Sequence, residues 1–69
     1  MPLYMAEYGQ DLLIARITGT DKLKKHLENM GFVVGEKVRI INKVDENVIV
    51  KVKGVSVALS HELAKRIYV

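Results

Sequence analysis

His26, His61 and Glu62 carry the most specific chemistry in this chain of 69 residues. Imidazole and carboxylate together make the mixed nitrogen and oxygen donor set that divalent transition metals such as Fe(II) favour. Their spacing serves that chemistry poorly. His61 and Glu62 are neighbours and need further ligands from elsewhere, and His26 joins them only if two distant segments meet. Ligand count and spacing both fall short of a stable site for Fe(II) or another divalent metal, so no cofactor is required. Imidazoles exposed to solvent are the simpler reading. Ser60 beside His61 supplies a nucleophile type and a base type. Adjacent residues in a helix cap rarely aim at one another, and no third group orients the pair. The chain has no Cys and no Gly-x-Ser-x-Gly turn. Without a constellation of residues in catalytic roles, no enzyme is expected.

Contact chemistry offers a second candidate. Met30, Phe32, Val33 and Val34 form an apolar group ahead of Gly35. Phe32, the only Phe, belongs in a core on its size alone. Val33 and Val34 cannot both be buried easily in a loop, and exposed together they would mark a contact patch. Lys24, Lys25 and Glu28 would form its polar rim. The three tyrosines, Tyr4, Tyr8 and Tyr68, lie near the two ends, where paired termini would let their rings pack. Lys and Arg are not interleaved with them, which argues against a platform for stacked bases.

These residues need a scaffold, and composition bounds it. Sixty-nine residues imply one domain. Nearly half are hydrophobic, with one Phe and no Trp, so the core must be aliphatic. Val and Ile favour pleated strands. The absence of Cys points to an intracellular setting for so small a scaffold. No apolar run approaches the ~20 residues of a membrane span, and Met1-Pro2-Leu3-Tyr4 does not resemble a signal peptide. The net charge of +3 is mild and dispersed, with Lys22, Lys24 and Lys25 as its densest group. That group reads as a solvated helix face.

Along the chain, Asp11 to Thr18 reads as a strand whose alternation breaks. Ile14 and Ile17 are three apart, and a β-bulge near Ala15–Arg16 would return both to the interior. Thr20 or Asp21 then caps a helix of about three turns. Leu23, Leu27 and Met30 form its apolar stripe, and Gly31 takes the left-handed position beyond it. After Gly35 the period becomes two. Val38, Ile40 and Val44 share one face, opposite Lys37, Arg39, Ile41 and Lys43, with Asn42 out of place on the apolar side. Asp45-Glu46-Asn47 turns the chain into Val48, Val50 and Val52, which alternate with Ile49, Lys51 and Lys53. Gly54 makes the next turn, into Val55, Val57 and Leu59. Ser60 caps His61–Ala64, read as a 3-10 turn, and Ile67 and Val69 point one way at the end. Five short strands, one helix after the first and a 3-10 turn before the last suit a small five-stranded barrel. Closure also shields the edges of such an aliphatic sheet.

In order and spacing these pieces resemble the ferrous-iron transport protein A (FeoA) family, with an SH3-like barrel, over nearly the whole chain. Pro2-Leu3 with Gly9 is similar to the family's opening, and Gly9, Ile14, Ile17 and Gly19 fall at its spacing. Leu27-Glu28-Asn29-Met30-Gly31-Phe32 with Gly35 resembles its Leu-x-x-Leu-Gly-hydrophobic-x-x-Gly element. Gly54-Val55-Ser56-Val57-Ala58-Leu59 resembles the late hairpin, and Glu62, Ala64, Ile67 and Val69 its close. Leu12, Val34, Tyr8 and Ala6 depart from the usual residues, which touches loop shape rather than fold. The resemblance implies a cytoplasmic accessory protein of ferrous-iron uptake. It would contact the GTP-binding region of a membrane Fe(II) transporter, peripheral to the inner face through that partner. The chain has no Gly-x-x-x-x-Gly-Lys-Ser/Thr loop, so nucleotide chemistry would belong to the partner. Rival readings are a nucleic-acid-binding SH3-like module with a contiguous basic face, the appended barrel of an iron-dependent repressor, and a metal-binding chaperone. No helix-turn-helix precedes the barrel here, which favours a free-standing role. Nucleic acid and membrane insertion are not expected. Self-association through an open edge strand is left open.

Overall fold

In the computed structural model, which describes residues 1–69, the break between Ile14 and Ile17 is where the chain changes sheets. Strand β1 (Leu12–Leu13) pairs antiparallel with β3 (Lys37–Val44), and β2 (Arg16–Ile17) with β6 (Ile67–Tyr68). Between them the Ile14 N–H donates to the Glu36 carbonyl at 3.0 Å and the Ala15 N–H to the Tyr68 carbonyl at 2.7 Å. The expected bulge is therefore a transfer between two ladders. Its effect on the side chains is the same: Ile14 is buried and Ile17 packs on the core.

The main sheet runs β1-β3-β4-β5, with β4 at Asn47–Val52 and β5 at Val55–Leu59. Helix α1 (Asp21–Asn29) follows β2, and helix α2 (His61–Ala64) precedes β6. Six short strands replace the expected five because the first splits. A 3-10 turn at Leu3–Met5 precedes them all. The termini pair: the N–H groups of Met1 and Val69 each donate to the other's carbonyl at 2.9 Å.

Thr20 Oγ1 accepts the Leu23 N–H at 3.2 Å, so Thr20 is the cap that starts α1. The apolar stripe of α1 is only partly used. Leu27 is buried and Met30 packs on the core, but Leu23 stays half exposed and outside the core cluster. Leu23 lies instead over Gly19, where a β-carbon would come within 2.8 Å of its Cδ2. Ser60 Oγ caps α2 by accepting the Leu63 N–H at 3.3 Å. The turn is α-helical rather than 3-10. The N–H groups of Ala64 and Lys65 reach back four residues, to the carbonyls of Ser60 and His61 at 2.9 and 3.0 Å. That geometry seats Ala64 in the core.

The long hairpin departs from simple alternation at one point. Ile40 faces Val50, yet Asn42 faces Ile49, so Ile41 is an extra residue in β3. A bulge of this kind inverts every later side chain. Val44, expected inside, is 46% exposed. Lys43 instead stands opposite buried Val48, and its ammonium donates to the Tyr4 carbonyl. Asn42 Oδ1 accepts the Lys43 N–H at 2.8 Å, which occupies the amide at the irregularity. The sign in the sequence was Asn42 itself, a polar residue on the apolar phase.

Thirteen residues are buried, all hydrophobic, and twelve of them are aliphatic. Phe32 is the thirteenth. An aliphatic core closed between two sheets is what the composition requires.

Candidate functional site

The three candidate metal ligands do not assemble. No three His, Asp or Glu side chains converge anywhere in the structure. His26 lies exposed in the last turn of α1, beside a shallow hollow with Thr20, Lys22 and Leu23. His61 is on α2, its ring tilted against Tyr4 with centroids 4.5 Å apart. Glu62 is paired with Lys65 at 3.1 Å and with Arg66 at 3.5 Å. Hydrogen bonding and attraction from Lys65, then attraction from Arg66, hold its carboxyl below the usual range.

The candidate contact group divides by burial. Phe32 is wholly inside and offers no surface, which removes it from the patch. Met30 packs on the core from a half-buried position, and Val33 is also half buried. Val34 is 64% exposed. The loop that presents it is well tied. The Phe32 N–H donates to the Leu27 carbonyl at 2.9 Å, the Glu36 N–H to Val33 at 3.0 Å, and the Gly35 N–H to Ile14 at 2.8 Å. Gly35 has φ +91°, a conformation glycine adopts freely. Val34 thus stands at the tip of a turn braced against the strand transfer. On that neighbouring segment Leu13 is 62% exposed, an apolar residue the sequence reading passed over. Lys24, Lys25 and Glu28 are exposed on α1.

The tyrosines do not gather. Tyr4 packs on His61, the Tyr68 ring lies under the Arg16 guanidinium at 4.6 Å, and Lys43 stands 5.6 Å over Tyr8. Each ring has its own partner, although the termini do pair as expected.

A second basic group lies away from the helix. Arg39 and Lys51 are direct cross-strand partners on the outer face of β3 and β4. Together with Lys37 and Lys53 they line an open hollow of about 360 Å³. Asp11 offsets Arg39, with Oδ1 2.7 Å from Nη2, and Glu36 approaches Lys53 at 3.8 Å. Strand alternation placed all four cations outward, but only the antiparallel register brings them together.

Comparison with known proteins decides the family. The FeoA domain model matches residues 1–69, the whole chain.

The chain belongs to the FeoA domain family.

A relative from Methanocaldococcus jannaschii, provisionally named Fe(2+) transport protein A, is 29% identical over 68 residues, spanning 99% of this chain and 83% of its own. The crystal structure of Stenotrophomonas maltophilia FeoA complexed with zinc superposes with a TM-score of 0.83 at 27% identity, over 99% of this chain and 87% of that one. That protein is described as an SH3 domain protein, with a suggested role as a ferrous-iron transport activating factor. A manganese-dependent transcriptional repressor contains the same fold, with a TM-score of 0.87 at 18% identity; it covers all of this FeoA domain and 40% of the repressor chain. That likeness concerns the fold alone. The expected SH3-like, mainly β architecture therefore holds for this FeoA domain. No helix in it is long and apolar enough to cross a membrane.

Proposed function

We propose that this FeoA domain is an accessory factor of ferrous-iron uptake that works by protein contact. Its partner is the cytoplasmic GTP-binding region of a membrane Fe(II) transporter, which would hold it at the inner membrane face. The observation that carries this reading is membership of the FeoA family over the full chain, with relatives named for Fe(2+) transport. The surface supports it. Val34 and Leu13 are exposed apolar residues on two segments bonded to each other through Ile14. An exposed apolar patch of this type suits docking, and the exposed Lys24, Lys25 and Glu28 of α1 are the polar groups proposed to flank it. The domain itself performs no chemistry in this scheme. It alters its partner only by unequal affinity for two partner states.

The test is calorimetric titration of the protein into the soluble GTP-binding part of a ferrous-iron transporter from the same organism. Binding is expected, and Val34→Ser should weaken it by about fivefold, the worth of one Val removed from a contact. The double change Val33→Ser with Val34→Ser should weaken it further. Absence of binding by the unaltered protein sinks the proposal, and unchanged affinity in both variants moves the contact off this loop.

The hollow lined by Lys37, Arg39, Lys51 and Lys53 favours one second reading, a surface for binding nucleic acid, which is anionic. It predicts binding to nucleic acid that falls steeply with salt. Two of the four cations are already offset by Asp11 and Glu36, so the contact reading stands first.

A further inference from the structure

Strand β5 ends the main sheet and pairs on one side only, with β4. The β4–β5 hairpin closes through Lys53 and Gly54, both at positive φ (51° and 78°), the two-residue turn of the mirror-image type. In such a hairpin the flanking residues exchange both backbone bonds, and the pairs then alternate. Val55, Val57 and Leu59 therefore bond to β4 across from Val52, Val50 and Val48. Ser56 and Ala58 turn their N–H and C=O groups to the free side, where neither finds a backbone partner.

This edge lacks the usual protection. Natural edge strands carry charges, proline or bulges that discourage pairing. Val55-Ser56-Val57-Ala58-Leu59 has no charge and no proline, and its register with β4 is unbroken. The strand is also self-matching about Val57. In an antiparallel pairing with its own copy, Ser56 meets Ala58 of the second copy, Val57 meets Val57, and Val55 meets Leu59. Both non-core positions are small and uncharged, and all three inward positions are aliphatic. Val55 is 59% exposed and Val57 only half buried, so the inward row is incompletely covered within one chain. A second strand of the same pattern covers it. No like charges come opposite one another in this ladder, although the molecule carries a net charge of +3.

We infer that the open edge of β5 is a homodimerisation edge, joining two copies of this chain in a continuous sheet. Two pairs of Ser56 with Ala58 exchange two bonds each, giving four backbone hydrogen bonds. A five-residue ladder buries less than the ~1,000 Å² that a stable specific interface should clear, so the dimer is weak and concentration-dependent.

Sedimentation velocity of the whole chain from about 10 µM to 1 mM tests the inference across the range that a small interface implies. The expected result is a monomer at the low end and a rising dimer fraction at the high end. Amide hydrogen exchange should show Ser56 and Ala58 becoming protected as concentration rises. Ala58→Pro removes an N–H that the monomer does not use, and proline is tolerated on an edge. By symmetry it deletes two of the four bonds, weakening association by about tenfold or more. Ala58→Lys, which leaves the backbone intact, should weaken it as well and guards against a folding defect in the proline variant. A monomer at every concentration overturns the inference. So does a dimer that both variants leave unchanged, or one in which the Ser56 and Ala58 amides stay unprotected.

Discussion

Replacing Leu27 by Ala and Leu23 by Ala should have sharply different consequences, although both lie on the apolar stripe of α1. Leu27 is completely buried and touches the sheet-facing core. Removing its terminal carbons forfeits about 1.5–3 kcal/mol of burial, and the cavity left behind raises the loss to about 2–5 kcal/mol. Leu23 is half exposed, outside the core cluster and lies over Gly19. Its truncation should stay near 1 kcal/mol or less, the range of partly exposed sites. A domain of 69 residues at about 0.05–0.15 kcal/mol per residue holds only about 3–10 kcal/mol in all. Leu27→Ala therefore removes a large share of it. Urea unfolding followed by far-ultraviolet circular dichroism is the assay. At a slope near 1 kcal/mol/M, about right for so small a protein, the Leu27→Ala midpoint should fall by about 2 M or more, and that of Leu23→Ala by under about 1 M. Equal shifts with equal slopes would refute the account, because they would mean that α1 packs along its whole stripe. An unchanged midpoint for Leu27→Ala would refute the core itself.

Two further outcomes follow from single sites. Lys53 sits at φ +51° ahead of Gly54, so Lys53→Asn, which creates the preferred Asn-Gly turn, should stabilise the domain by roughly 0.5–1 kcal/mol in the same unfolding assay. Its only ion pair, to Glu36 at 3.8 Å, is exposed and weak enough not to reverse that sign. The Glu62 carboxyl, lowered chiefly by Lys65, should titrate below an ordinary glutamate by carbon-detected NMR, and Lys65→Ala should move it back upward. Because its folded pKa is depressed, its favourable contribution is present above the ordinary glutamate value and fades as pH drops through the lowered one. A Glu62 titration unchanged by Lys65→Ala would remove Lys65 as the cause.

Much of this domain was legible from residue order because its signals are local. Thr20 and Ser60 cap the helices they precede, and a cap depends only on residues two or three positions away. Val48, Val50 and Val52 face inward as their alternation requires, since a regular strand has period two. The family resemblance was readable for the same reason, as glycines and aliphatics at fixed intervals record turns and strand phases. What tertiary structure alone decided lies where distant segments meet. Ile41 becomes a bulge only because β4 imposes a register on β3, and that exchange put Lys43 inside the rim and Val44 outside. The split after Leu13 depends on two different partner strands competing for one segment. Leu23 is left off the core while Leu27 and Met30 reach it, because how far a helix stripe is covered depends on where the helix settles against distant segments. The separation of His26 from His61 and Glu62, the gathering of Lys37, Arg39, Lys51 and Lys53, and the bare edge of β5 are likewise facts of how strands are ordered in space. Local chemistry names which side chains are available, and long-range pairing determines which of them stand together.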